Sequence, residues 1–212
     1  VLKYRLNQTP ADMAGFERSM AEMFSGTARR PPRPDPQQMM AGLAPQIADS
    51  RAAFALIRRR AAEWKIDPDR IGMVGFSAGA NLVGHASWDR TPRTYPQKPG
   101  VDDPRGPDFT LFVYGGGFLD KEDKTKFREG FAVPKDAPPC FFVVAHNDGN
   151  NPLEAGELYL AYKRLDRPAE LHVYAKGGHG FGTRATNHPV DGWTRTAGEW
   201  MRSPGFLEAT PK

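Results

Sequence analysis

The sequence predicts an α/β protein, a mostly parallel sheet flanked by helices. Two observations predict it. Short apolar runs alternate along the chain with stretches of helical periodicity, and the best-defined runs are continuously apolar, as in a sheet covered on both faces. With 212 residues, 39% of them hydrophobic and 25% charged, residues 1–212 are expected to form one domain around an ordinary core.

Residues 1–6, VLKYRL, read as a short strand. Residues 24–38, FSGTARRPPRPDPQQ, hold too many prolines for a helix or a central strand, so an exposed Pro/Arg-rich loop is expected over about residues 24–45. From 46 to 65, Ile47, Ala48, Phe54, Ala55, Ala61, Ala62 and Trp64 recur at helical spacing, until IDPDR at 66–70 turns the chain. IGMVGF at 71–76 then reads as a buried strand, and AGANLVGHASW at 78–88 as the helix that follows it. Three further strands are expected at 109–114 (FTLFVY), 140–145 (CFFVVA) and 170–174 (ELHVY). Between the last two, Asn151 as cap, Pro152 in the first turn and Glu154 as the reciprocal partner form a capping box. That box opens a helix whose apolar stripe is Leu158, Ala161, Tyr162 and Leu165. A last helix near 191–202 places Trp193, Ala197, Trp200 and Met201 on one face.

Composition excludes several classes of function. The net charge of +4 arises from 29 basic and 25 acidic residues dispersed along the chain, not from a basic face, so no nucleic-acid partner is expected. Cys140 is the single cysteine and reads as a small buried residue; an internal disulfide and a cysteine-rich zinc site are excluded. No apolar stretch approaches the roughly 20 residues that span a bilayer, so no membrane span is expected.

The chemistry centres on GFSAGA at 75–80. A G-x-S-x-G pentapeptide between a strand and a helix is a strained turn that lifts the serine hydroxyl clear of the sheet, with both glycines expected where a side chain would strike backbone. Ser77 is therefore the candidate nucleophile, and the N–H of Ala78, at a helix N-terminus, a candidate oxyanion donor. A serine needs a histidine to take its proton. His179, in the glycine-rich GGHGFG at 177–182 after the last strand, is the candidate base; His85, His146, His172 and His188 read as packed or surface residues. Asp148, just beyond the strand at 140–145, is the first choice to orient His179, with Asp120 and Asp123 as alternatives. The GGG at 115–117 reads as a tight turn.

These blocks, above all AAEWKIDPDRIGMVGFSAGANL and PAELHVYAKGGHGFG, resemble the esterase and lipase branch of the α/β-hydrolases, in particular acetyl esterases, acetylxylan esterases and feruloyl-esterase-like proteins. The order Ser77, Asp148, His179 is the order of that fold. The resemblance implies a serine carboxylesterase that hydrolyses small acyl esters through an acyl-enzyme, on a small-molecule or carbohydrate ester, with no metal or organic cofactor. Asn147-Asp148-Gly149 stands where the family carries an acidic pair and proline. The family's His-Gly-Gly-Gly oxyanion segment precedes the strand matching VLKYRL, so the expectation is an N-terminally truncated, partial α/β-hydrolase fold. In the family's strand order the missing third strand adjoins the one matching IGMVGF, and the open sheet edge is expected to pair with a second copy as a homo-oligomer. The competing reading is a weakly active or inactive fragment that serves as a binding or assembly module.

Overall fold

The continuous apolar runs become the middle of a sheet. The computed structural model describes residues 1–3, 12–24, 36–88, 105–149 and 151–207. Four strands, β1 (Gly72–Phe76), β2 (Phe109–Val113), β3 (Cys140–Ala145) and β4 (Ala169–Tyr174), lie parallel in that spatial order. β2 and β3 are the inner pair and every one of their residues is buried. Neither strand therefore needs a polar side.

Helices cover both faces. α4 (Ala78–Trp88) packs on β1 and β2, and α5 (Asn151–Arg164) on β3 and β4. On their face Phe112 and Phe142 meet Trp88 and Tyr162, and the Tyr162 hydroxyl accepts from Trp88 Nε1 (2.7 Å) while donating to the Pro138 carbonyl (2.9 Å). The expected stripe of α5 is the one that packs: Leu158, Ala161 and Tyr162 are buried and Leu165 lies against the core. The other face belongs to α6 (Trp193–Arg202), which follows a single 3₁₀ turn, Pro189–Gly192; its Trp200 packs on Phe109 and Phe141. Removing one of these buried rings would cost about 3–5 kcal/mol, part transfer and part cavity.

At the N-terminal side the prolines misled. α2 (Pro36–Arg59) runs through residues 36–45, where a loop was expected, and a short α3 (Ala61–Trp64) follows it. Pro36 opens α2, where a missing N–H has no partner to lose, and Gln37, Gln38, Met39, Met40 and Ala41 are good helix formers. Residues 25–35 of the expected loop, with Arg29, Arg30 and Arg33, lie outside the described residues. A further helix, α1 (Met13–Phe24), was not anticipated. Residues 1–3 carry no strand, and the rest of the strand expected at 1–6 lies outside the described residues.

β1 departs from expectation in burial. Among the described residues it has a strand partner on one side only, and Val74 and Phe76 are 51% and 36% exposed. They line an apolar groove with Phe109, Leu111, Trp193 and Ala197. Asp108 ties β1 to β2 by accepting from the Ile71 N–H (2.8 Å) and from Arg58 (3.0 Å). Among the described residues no helix is long and apolar enough to cross a membrane.

Candidate active site

The serine sits where the sheet hands over to a helix. Ser77 N–H still donates to the Val113 carbonyl of β2 (3.0 Å), while its own carbonyl accepts from Ala80 (3.0 Å) and Asn81 (3.1 Å) in the first turn of α4. Serving both partners forces Ser77 to φ +54°, a left-handed value that costs a non-glycine residue on the order of 1–3 kcal/mol. Gly75 is required, because a Cβ there would collide with the Gly79 carbonyl. Gly79 is not: beyond its chain neighbours and the backbone of its own helix turn, nothing among the described residues lies within 4 Å of where its Cβ would stand, so the expectation of two obligatory glycines holds for one. The reason is direction, since Gly75 faces into α4 and Gly79 faces away from the strand. Ala78, exposed at the start of α4, presents an N–H that has no intrahelical acceptor.

The loop after β4 brings His179 to that hydroxyl. Gly178, Gly180 and Gly182 all take positive φ (+64°, +80° and +54°), so the chain turns sharply on both sides of the histidine. The loop is anchored by buried Phe181, by Trp193 Nε1 donating to the Gly182 carbonyl (2.7 Å), by Gly178 N–H donating to Asn147 Oδ1 (2.9 Å) and by Arg184 donating to the Gly180 carbonyl (3.2 Å). His179 Nε2 lies 2.8 Å from Ser77 Oγ, and His179 Nδ1 lies 3.0 Å from both carboxylate oxygens of Asp148. A carboxylate only accepts, so Nδ1 carries the proton and Nε2 is left as the acceptor for the serine hydroxyl. Asp148 is buried, whereas the His179 side chain is half exposed. The Tyr114 and His179 rings pack in a T-shaped contact with centroids 5.1 Å apart, and burial pushes the Tyr114 phenol upward, so it stays neutral.

The alternative carboxylates are held by their own loop. Asp120 accepts from the N–H groups of Asp123 and Glu122, which lower its carboxyl, and Lys126 and Thr125 hold Asp123 well below the usual range. His172 pairs with Glu170 at 2.6 Å, and buried His85 meets Arg128 at 2.9 Å. Among the described residues no group of three His, Cys, Asp or Glu side chains is placed to hold a metal ion.

Two residues have other work than the sequence suggested. The capping box is not formed. Glu154 is buried, and its carboxylate accepts from Gly117, Phe118 and Leu119 N–H at 3.0, 3.0 and 3.1 Å. Asn151 turns its amide toward Asp148 Oδ2 (2.9 Å). The available signal was the spacing: Asp148 and Asn151 stand three apart at a helix start and so share one side of the turn.

A family model described as BD-FAE matches residues 37–94, a stretch that includes the Ser77 turn. The acetylxylan esterase of Xylanibacter ruminicola is 24% identical over 180 residues, which is 74% of this chain; the chain spans 35% of that relative's length. Among solved structures, the acetyl ester-xyloside bifunctional hydrolase of Caldicellulosiruptor lactoaceticus is 26% identical with a TM-score of 0.60, over 77% of this chain and 67% of its own. A thermophilic esterase of Thermogutta terrifontis, with butyrate bound, has a TM-score of 0.64 at 21% identity, over 80% of this chain and 69% of its own.

Proposed function

We propose that this chain, whose fold is that of the α/β-hydrolases, is a serine carboxylesterase acting on small acyl, acetyl-type esters. The single observation that carries the reading is the unbroken run of hydrogen bonds Ser77 Oγ, His179 Nε2, His179 Nδ1, Asp148. Ser77 Oγ attacks the ester carbon as His179 Nε2 takes its proton, and Asp148 stabilises the imidazolium through Nδ1–H. The Ala78 N–H donates to the oxygen that becomes negative. Collapse of the tetrahedral intermediate expels the alcohol, which takes the proton from Nε2 and leaves an acyl-serine. Water then attacks the acyl carbon with His179 again as base, and the acid departs with Ser77 restored. Likeness to an acetylxylan esterase and to an acetyl ester-xyloside hydrolase supports an acetylated carbohydrate as the substrate class.

The test is twofold. The purified chain should react with a fluorophosphonate probe at Ser77 and turn over p-nitrophenyl acetate, with both lost in Ser77→Ala while the melting temperature stays within a few degrees. Labelling without turnover would reduce the molecule to a hydrolase-fold binding module, and turnover that survives Ser77→Ala would place the nucleophile elsewhere.

A further inference from the structure

Asp148 has a neighbour that the proton relay does not use. Asn151 Nδ2 lies 2.9 Å from Asp148 Oδ2, 3.3 Å from the Tyr114 carbonyl and 3.3 Å from His179 Nδ1. Which end of the amide faces this cluster is decided by its partners. Asp148 Oδ2 and the Tyr114 carbonyl can only accept, so the group between them is the NH₂. The amide oxygen points back at Gly116, where a Cβ would stand only 2.7 Å from it; glycine at 116 leaves the amide its room. The Asn151 N–H in turn donates to the Asp148 carbonyl (3.1 Å), which fixes the two residues against each other at the start of α5. With the proton on Nδ1, the short approach of Asn151 Nδ2 to Nδ1 is the meeting of two donors that converge on one carboxylate.

We infer that Asn151 is a positioning residue of the relay: its amide holds the Asp148 carboxylate in line with His179 and takes up part of its negative charge. The inference rests on the Ser77, His179, Asp148 reading above. It has a signed consequence. Asp148 is buried, so a donor lost from Oδ2 is not simply replaced by water. The carboxylate then concentrates its charge on Nδ1–H and favours the imidazolium. A favoured imidazolium moves the acidic limb of kcat/KM to higher pH, since that limb reports the base of the free enzyme.

The experiment compares the parent, Asn151→Ala and Asn151→Asp. The aspartate variant keeps the size and the helix-starting preference of asparagine, so it carries the test if the alanine variant does not fold. For Asn151→Ala, kcat on p-nitrophenyl acetate should fall about tenfold with KM within about twofold, the mark of an interaction that matters in the transition state. The acidic limb should move up by about half a unit in Asn151→Ala, and by about one unit or more in Asn151→Asp, which sets a second carboxylate against the first. The His179 ring, titrated by NMR and assigned by its loss in His179→Gln, should move by the same amounts. A drop in melting temperature with neither the limb nor the His179 titration displaced would leave Asn151 as a helix-start residue and overturn the inference. Absence of turnover in the parent would sink the esterase reading instead, and the NMR titration, which needs no substrate, would still decide the role of Asn151.

Discussion

Two glycine-rich loops leave the same end of the sheet and are held in opposite ways. The loop after β2, at 115–119, gives three successive N–H groups to one buried carboxylate, Glu154, and its Gly116 carbonyl to Asn81 Nδ2 (2.9 Å); its large side chain, Phe118, is buried. The loop after β4, at 177–182, is held at its two ends by neutral partners, Asn147 and Trp193, by one buried ring, Phe181, and between them by two charged side chains, Arg184 on the Gly180 carbonyl (3.2 Å) and Asp148 on His179. Between those anchors His179 stands half exposed beside Ser77. Glycine content alone does not distinguish a structural turn from a loop that presents a reactive group. What distinguishes them is which groups take the amides and whether a polar side chain is left over.

The largest effect that would sharpen this contrast is at the second loop's acidic partner. Asp148→Asn should lower kcat on p-nitrophenyl acetate by about 10⁴-fold, the cost of losing the orienting aspartate of a serine triad, with the urea midpoint little changed. A comparable loss in Asp120→Asn would move the carboxylate to the end of the first loop and erase the contrast. Next, Glu154→Ala should strand three N–H groups and lower unfolding free energy by about 3 kcal/mol or more, read from urea denaturation. Stability within about 0.5 kcal/mol of the parent would mean that the loop rearranges to find other acceptors. Asn147→Ala should be milder, a loss of about 1 kcal/mol or several-fold in kcat as the Gly178 tether is released, and a variant as active as the parent would show that Phe181 and Trp193 suffice.

The smallest effect concerns the segment that leads from the second loop into α6. Asp191 accepts from Thr186 and Asn187, and these bonds, the Thr186 hydroxyl first, hold its carboxyl below the ordinary value. A depressed carboxylate adds stability at pH values above its unfolded pKa, and that stability is lost as pH falls through the folded value. Asp191→Asn should therefore lower the melting temperature slightly at neutral pH and leave the value in acid nearly unchanged, which narrows the fall on acidification. An acid limb identical to the parent's would place the acid-sensitive groups just after the first loop, where Asp120 and Asp123 are depressed in the same direction.

Legibility followed the range of the interactions. β3 and α4 were read to the residue, because an unbroken apolar run and a G-x-S-x-G turn are local patterns. The chain order of Ser77, Asp148 and His179 was also visible, and the structure brings the three within hydrogen-bonding distance. Prolines were read as breakers at 24–45, although at the first position of a helix the same residue is favourable, as Pro36 is. The exposure of Val74 and Phe76 could not be read from β1, whose own sequence is that of a covered strand; its neighbours decide it. Glu154 and Asn151 carry a sound capping signature, yet tertiary partners claimed both side chains, three N–H groups in one case and a buried carboxylate in the other. Local propensity was outbid by contacts that chain order does not display.

Cys140 opens β3, fully buried, and burial pushes its thiol well above the ordinary range. It is the single thiol in the chain. A thiol so placed is silent to alkylating reagents while the sheet is intact, since only the thiolate reacts and reagent has no path to it. Its modification rate is then a clock for opening of the β2, β3 and β4 interior, with no labelled residue to introduce. At high reagent the rate equals that of opening; at low reagent it follows the population of the open form. The molecule thus carries, at the start of an inner strand, a reporter that tells kinetic from equilibrium stability without touching the site that faces solvent.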